Sequence, residues 1–171
     1  TPQLWQEVMR FEQYREQFAF LRDNGITTRT DMAAFTARTE ETLANLMKQR
    51  TVLNVRRKRR RALYTALADA EALAPVKELY EAGLSGMETE FAQYMDAVAA
   101  LEQCGVPREG LIQEKAELYD RLAELNRQIR AERRKLALCR KTQNSLPRME
   151  QEIDKAEARE SEVRTNEHRR R

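Results

Sequence analysis

Two blocks of basic residues are the features of this 171-residue sequence best able to carry chemistry. The first block, residues 51–61, holds six positive charges and no negative one. The second, residues 127–148, holds eight positive charges against one negative charge. Positive side chains at this density can displace the counterions of several phosphates, which gives nucleic-acid affinity without base reading. The predicted phosphate contacts are Arg56, Arg57, Lys58, Arg59, Arg60, Arg61, Arg127, Arg130, Arg133, Arg134, Lys135, Arg140 and Lys141.

The basic blocks have a second interpretation as solvated helix surface. Residues 62–104, which lie between the blocks, carry one positive and eight negative charges. These carboxylates can pair with the arginines inside the protein, which would leave little positive charge for a ligand. No pattern of a base-reading module is present, so the form of nucleic-acid recognition that the sequence favours is contact with phosphates.

The residues that usually carry catalysis are scarce. The single histidine, His168, sits beside three arginines in a charged terminal segment, where a solvated side chain is expected. Cys104 and Cys139 form no CxxC motif, so we interpret them as small buried hydrophobic residues of a protein in a reducing compartment. We therefore predict no catalytic residue, no bound metal and no cofactor, and we expect a cytoplasmic protein.

The composition is that of a helical protein. Ala, Glu, Lys, Leu and Arg make up more than half of the sequence, which is typical of long helices and coiled coils. Five Gly and four Pro leave few turns, and no apolar run approaches the roughly 20 residues that a membrane span needs. We predict one all-α domain over residues 1–171, an elongated antiparallel bundle or coiled coil of about five helices with two long helices as its spine.

Breaker residues and apolar periodicity set the predicted helix ends. Gly25, Pro75, Gly105 and Pro147 are the main interruptions. The end of the chain is nearly all polar, so its last turns are expected to fray. The predicted helices cover residues 3–23, 29–74, 75–82, 87–104, 108–145 and 148–165, with the polar tail at 157–171.

The first helix is rich in aromatic residues. Apolar residues recur there every three or four positions, which favours a stripe that faces the core. Trp5 and Phe20 fall outside this stripe and are candidates for a partner-binding patch. The predicted stripe consists of Leu4, Val8, Phe11, Tyr14, Phe18 and Leu21.

A heptad repeat near the end of the chain is the clearest periodic pattern. It places the polar residue Glu132 inside an apolar seam. If three helical segments run up, down and up, Glu132 lies near the height of the first basic block. We therefore predict an ion pair of Glu132 with Arg57 or Arg60, and one belt that gathers both basic blocks. The seam, which closes either within one chain or across a homodimer, consists of Leu111, Leu118, Leu125, Glu132, Cys139 and Leu146.

Several phrases of the sequence resemble the helical region behind the nuclease domain of MobA/MobL-type relaxases. These are bacterial mobilisation proteins of plasmids and integrative elements, which act in conjugation. The likeness spans most of the chain and consists of a similar helical composition and a similar order of short sequence segments. The phrases are Gln6-Glu7-Val8-Met9, Phe18 to Leu21, Ile26-Thr27-Thr28, Asp31-Met32, the Arg56–Arg61 run and the stretch from Ile129 to Arg140.

The resemblance implies a non-catalytic accessory region in a DNA-processing complex. Relaxases nick DNA with an N-terminal tyrosine and a histidine-held metal, and neither motif is present in this sequence. The implied partners are DNA, bound without sequence preference, and relaxosome proteins, and no membrane contact is expected. The alternative hypothesis is a structural coiled-coil adaptor or scaffold that mediates protein–protein interaction and does not bind nucleic acid.

Overall fold

The computed structural model describes residues 2–169. Within that range the chain forms five α-helices and no strand, so the prediction of an all-α fold is confirmed. The helices are α1 (Pro2–Asp23), α2 (Arg29–Ala72), α3 (Ala74–Glu81), α4 (Glu88–Gln103) and α5 (Arg108–Arg169).

The chain divides into two compact units. The terminal unit comprises Thr1–Leu43 and Arg130–Arg171, and the central unit comprises Ala44–Ile129. Both α2 and α5 contribute a segment to each unit. Each unit therefore has its own packed interior, described separately below.

The central unit is held together by small and branched side chains of α2, α4 and α5. Ala66 and Ala70 of α2 pack with Leu101 of α4 and Leu111 of α5. Alanine at these positions lets helices approach closely, while the leucines bury the larger apolar surface. A second cluster joins Tyr64, Leu118 and Leu122.

Within the central unit, α2 and α5 run antiparallel. Arg50 of α2 donates a hydrogen bond to Asn126 of α5 at 3.4 Å, and Arg60 donates one to Glu114 at 3.1 Å. As the residue number rises along α2, the residue number of its contact in α5 falls. The seam residues Leu111, Leu118 and Leu125 are all buried here, as the heptad pattern predicts.

The terminal unit has a smaller interior. Phe20, Ile26, Met32 and Cys139 form its buried cluster, and the Phe20 and Phe35 rings meet edge to face at 5.5 Å. Phe20 is therefore a core residue, and its interpretation as part of a partner-binding patch is wrong.

The predicted core stripe of α1 is also wrong over most of its length. Its buried face instead carries Gln17 and Phe20, with Tyr14 and Leu21 half-buried beside them. A helix with apolar residues on several sides satisfies more than one stripe, so periodicity alone cannot choose the buried one. The stripe residues that the structure leaves exposed are Leu4, Val8, Phe11 and Phe18.

The entry into α2 is fixed by a capping box. Thr28 accepts a hydrogen bond from the Asp31 backbone at 3.0 Å, and the Asp31 carboxylate accepts bonds from the Thr27 and Thr28 backbones at 3.1 and 3.0 Å. This reciprocal pattern satisfies the free amides of the first helical turn. The preceding turn uses Gly25 at φ 64°, the left-handed conformation that the glycine predicts.

Helix α5 continues where the sequence predicts a break. Pro147 lies inside the helix, and the polar tail is helical through Arg169. Proline removes one backbone donor and bends a helix, but the strong helix formers that follow it, residues 148–152, keep the next turns helical. The predicted boundary at residues 145–148 is therefore corrected, while the fraying predicted from residue 157 stays a prediction.

Candidate functional site

The arginine run of α2 splits according to helical geometry. Six consecutive residues at about 100° each cover every side of a helix, so they cannot share one environment. Arg56 and Arg60 turn toward Glu114 of α5, Arg57, Lys58 and Arg61 line a groove, and Arg59 is exposed.

An open groove of about 720 Å³ lies between α2 and α5 in the central unit. Four cations line it: Arg57, Lys58 and Arg61 from α2, and Lys115 from α5. No carboxylate is among its lining residues, which are completed by two tyrosines and by Asn54, Thr65 and Ala68. Positive charges that converge without a counter-charge favour an anionic ligand.

Tyr64 forms part of the wall of this groove. The side chain is 6% exposed, and its hydroxyl has no hydrogen-bond partner among the described residues. Burial raises the pKa of Tyr64, the charge of Glu114 raises it further, and Arg56 and Arg60 oppose them. The phenol therefore stays protonated near neutral pH and keeps a hydrogen to donate.

Lys115 and Tyr119 complete the α5 side of the groove. The Lys115 ammonium lies 5.8 Å from the centre of the Tyr64 ring, a cation–π distance that fixes its position over the aromatic face. Tyr119 is 45% exposed, so one aromatic surface remains open to a ligand. The groove thus combines four charges with an accessible ring.

Glu114 neutralises part of the arginine run. Its Oε1 accepts hydrogen bonds from Arg60 Nε at 3.1 Å and from Arg56 Nη2 at 3.2 Å. The side chain is only 15% exposed, so the charge is held in place. Two of the six cations are satisfied inside the protein, and the other four have no carboxylate partner within the described residues.

No protein-family model, curated protein or solved structure matches this chain. Within residues 2–169 no helix is long and apolar enough to cross a membrane. In the same range no three His, Cys, Asp or Glu side chains come close enough together to hold a metal ion.

In the second basic block, three cations pair with three different carboxylates, whereas in the first block two cations share Glu114. Arg127 pairs with Glu124 in the central unit. In the terminal unit, Lys135 pairs with Glu132 at 2.9 Å and Arg140 pairs with Glu40 at 3.8 Å. The five remaining members are exposed and make no ion pair with a described residue: Arg130, Arg133, Arg134, Lys141 and Arg148.

The predicted ion pair of Glu132 with Arg57 or Arg60 is wrong. Glu132 pairs one turn along its own helix with Lys135, and the partner of Arg60 is Glu114. The prediction assumed that α2 and α5 run parallel, whereas the contacts within each unit show that they run antiparallel. Residues 56–61 and Arg127 belong to the central unit, and the rest of the second block belongs to the terminal unit.

Three residues of the groove were missed by the sequence analysis. Tyr64 and Tyr119 carry no signal in sequence beyond ordinary helical periodicity. Lys115 does carry one, because it occupies an alternate seam position where the heptad expects an apolar residue. A cation at such a position indicates a place where the seam opens toward a groove.

Proposed function

We propose that this chain binds the phosphate backbone of nucleic acid through the central groove, without reading base sequence. The observation that carries the proposal is the convergence of Arg57, Lys58, Arg61 and Lys115 on a groove whose lining has no carboxylate. In the context that the relaxase resemblance suggests, the chain is an accessory helical region that holds DNA for the relaxosome.

The physical basis of binding is counterion release. Each phosphate that a cation of the groove neutralises frees a condensed counterion, so affinity falls steeply as salt is added. Four contacts predict a plot of log K against log salt with a slope of about −3 for single strands and about −4 for duplex. The exposed ring of Tyr119 adds a surface on which one unpaired base can stack.

The test is fluorescence anisotropy with labelled single-stranded and duplex DNA over a salt series. The groove variant changes Arg57, Lys58 and Arg61 to Gln. The matched control changes Arg130, Arg133 and Arg134 to Gln, which removes the same charge from exposed positions outside the central groove. Circular dichroism checks that both variants stay helical.

The groove variant is expected to reduce the magnitude of the salt slope by about 2 to 3 and to weaken binding at least tenfold at low salt. The control is expected to keep most of the affinity. Equal losses in the two variants would contradict the groove and indicate general attraction to a basic surface. Absence of binding by the wild-type chain at low salt would overturn the proposal.

The adaptor function is the second candidate, and the exposed apolar face of α1 favours it. Leu4, Val8, Phe11 and Phe18 are all exposed, and apolar side chains grouped on one helix often mark a protein-binding surface. A homodimer through α1 predicts a doubled mass by light scattering that returns to the monomer value when Phe11 and Phe18 are changed to Ser. A monomer at all concentrations would contradict the homodimer.

A further inference from the structure

We infer that the terminal unit holds a second groove, which binds single-stranded nucleic acid by stacking an unpaired base on Trp5. The groove has a volume of about 580 Å³ and lies between α1 and the Pro147 region of α5. The site is built from residues other than those of the central groove, and its test has a different readout. Binding at either groove can therefore be tested independently of binding at the other.

Positive charge converges on this groove as it does on the central one. Arg10 of α1 and Lys141 and Arg148 of α5 line it, and no carboxylate is among its lining residues. Glu7, Glu12 and Glu16 belong to the same helix as Arg10, but none of them forms part of the wall. The uncompensated charge favours phosphate groups.

Trp5 supplies the second half of the recognition. Its indole is 70% exposed although it is the largest apolar side chain in the protein, and it forms one wall of the groove. Half-buried Tyr14 lies in the same wall. An exposed aromatic face beside cations is the combination that binds single strands, because every base has a π-face and every linkage has a phosphate.

The arrangement selects unpaired strands over duplex. Bases in a duplex are stacked on one another, so their faces are closed to a side chain, whereas unpaired bases can turn out onto an aromatic ring. The amide of Asn144 and the amides of Gln6 and Gln13 also line the groove and can bond to the edges of such a base. A phosphate polymer without bases would use only the three cations.

The sequence contains one tryptophan, so emission excited at a wavelength that tyrosine does not absorb reports this groove alone. The experiment titrates the full chain with pentathymidylate, a length of about one binding site. A stacked base is expected to quench Trp5 emission in a saturable manner. Inorganic polyphosphate is expected to leave the emission nearly unchanged, and a blunt duplex long enough to stay fully paired is expected to need at least tenfold higher concentration.

Variants separate the two grooves. Arg10, Lys141 and Arg148 changed together to Gln should weaken the quenching titration at least tenfold, while the central variant with Arg57, Lys58 and Arg61 as Gln should shift its midpoint less than twofold. In the background of the central variant, a labelled pentamer read by anisotropy should bind about tenfold more weakly after Trp5→Ala, and Trp5→Phe should restore most of the affinity, because phenylalanine keeps a stacking face.

Three outcomes would overturn the inference. Unchanged Trp5 emission at saturating pentathymidylate would do so even if the central groove still binds DNA by anisotropy. Equal quenching by polyphosphate would reduce the site to an anion site. Quenching that persists undiminished in the triple variant with intact helicity would show that the three cations do not hold the strand.

Discussion

The two units reach the same kind of groove by opposite routes. In the central unit, three of the four cations come from one consecutive run in α2. In the terminal unit, Arg10 comes from α1, and Lys141 and Arg148 come from separate turns of α5. A consecutive basic run in the sequence predicts most of the cations of the first groove, whereas the cations of the second groove come together only when α1 packs beside α5.

The two grooves also differ in how their surroundings are neutralised. Glu114 ties down Arg56 and Arg60 beside the central groove. In the terminal unit, each carboxylate pairs with a single cation: Glu132 binds Lys135 at 2.9 Å, and the more exposed Glu40 lies 3.8 Å from Arg140. The number of consecutive basic residues therefore overestimates the positive charge that is free to bind a ligand. The same count overlooks cations that are far apart in the sequence.

The contrast between the buried seam of the central unit and the exposed face of α1 predicts the largest effect. Leu125 is 0% exposed, so Leu125→Ala should destabilise the protein by about 2–5 kcal/mol through lost burial and a residual cavity. Phe11 is 68% exposed, so Phe11→Ala should change stability by about 0.5 kcal/mol or less. Thermal and urea unfolding followed by circular dichroism measure both, and a larger loss for Phe11 would mean that α1 buries its predicted stripe after all.

Removing Glu114 should move stability and affinity in opposite directions. Glu114→Gln leaves two arginines without their carboxylate, which should cost about 1–3 kcal/mol of stability. The freed cations should tighten DNA binding several-fold at low salt. Glu124→Gln is the matched control, since it removes one charge from a more exposed pair, and it should cost less than about 1 kcal/mol.

Each unit contains one buried polar atom without a partner among the described residues. They are the Tyr64 hydroxyl in the central unit and Gln17 Oε1 in the terminal unit. Tyr64→Phe and Gln17→Met remove these atoms with little change of shape, so each should raise stability by up to about 1 kcal/mol. A lower melting temperature for Tyr64→Phe would mean that the hydroxyl is satisfied in solution.

The smallest predicted effect concerns the two helix starts that carboxylates cap. Hydrogen bonds from the Thr27 backbone first, and then from the Thr27 hydroxyl and Thr28, hold the pKa of Asp31 below its ordinary value of 3.8. The backbone of Glu88 itself and then that of Gly86 lower the pKa of Glu88 in the same direction. Folding favours the charged form in both cases, so this stability is present above the unfolded pKa and is lost as pH falls through the folded one.

Melting temperatures compared between pH 7 and pH 3 test this prediction. Asp31→Asn and Glu88→Gln should each show a smaller drop than the wild type. Asp31 should have the larger effect, since its carboxylate accepts bonds from both Thr27 and Thr28. Identical drops in all three proteins would mean that neither cap contributes to the pH dependence.

The sequence predicts the helices well because each one depends on local periodicity and capping. Gly25 and the Thr28 region mark real helix ends, and the heptad from Leu111 onward marks a buried seam. Local signals fail where the outcome depends on which helices meet. The stripe of α1 and the partner of Glu132 are wrong for that reason, since both depend on helix direction and packing.

The candidate sites divide in the same way. Arg57, Lys58 and Arg61 were predicted from their run, and Lys141 was predicted from the second block. Trp5 was predicted as part of a partner-binding patch, and Arg148 lies in the second block without being a predicted phosphate contact. Lys115 and Arg10 enter the grooves through tertiary packing. The remaining cations of both blocks stay predictions as phosphate contacts.

The last turns of α5 have a consequence for proteolysis. Every residue from 151 to 169 is exposed, so this stretch of helix is stabilised by backbone bonds and side-chain pairs such as Arg164 with Glu160, without a buried face. A helix of that kind opens readily into the extended form that a protease needs. Trypsin should therefore cut at Lys155, Arg159 and Arg164 before it cuts the arginine run of α2, whose backbone is anchored by buried Tyr64 and Ala66. The richest set of cleavable bonds in the chain is thus among those that its fold protects.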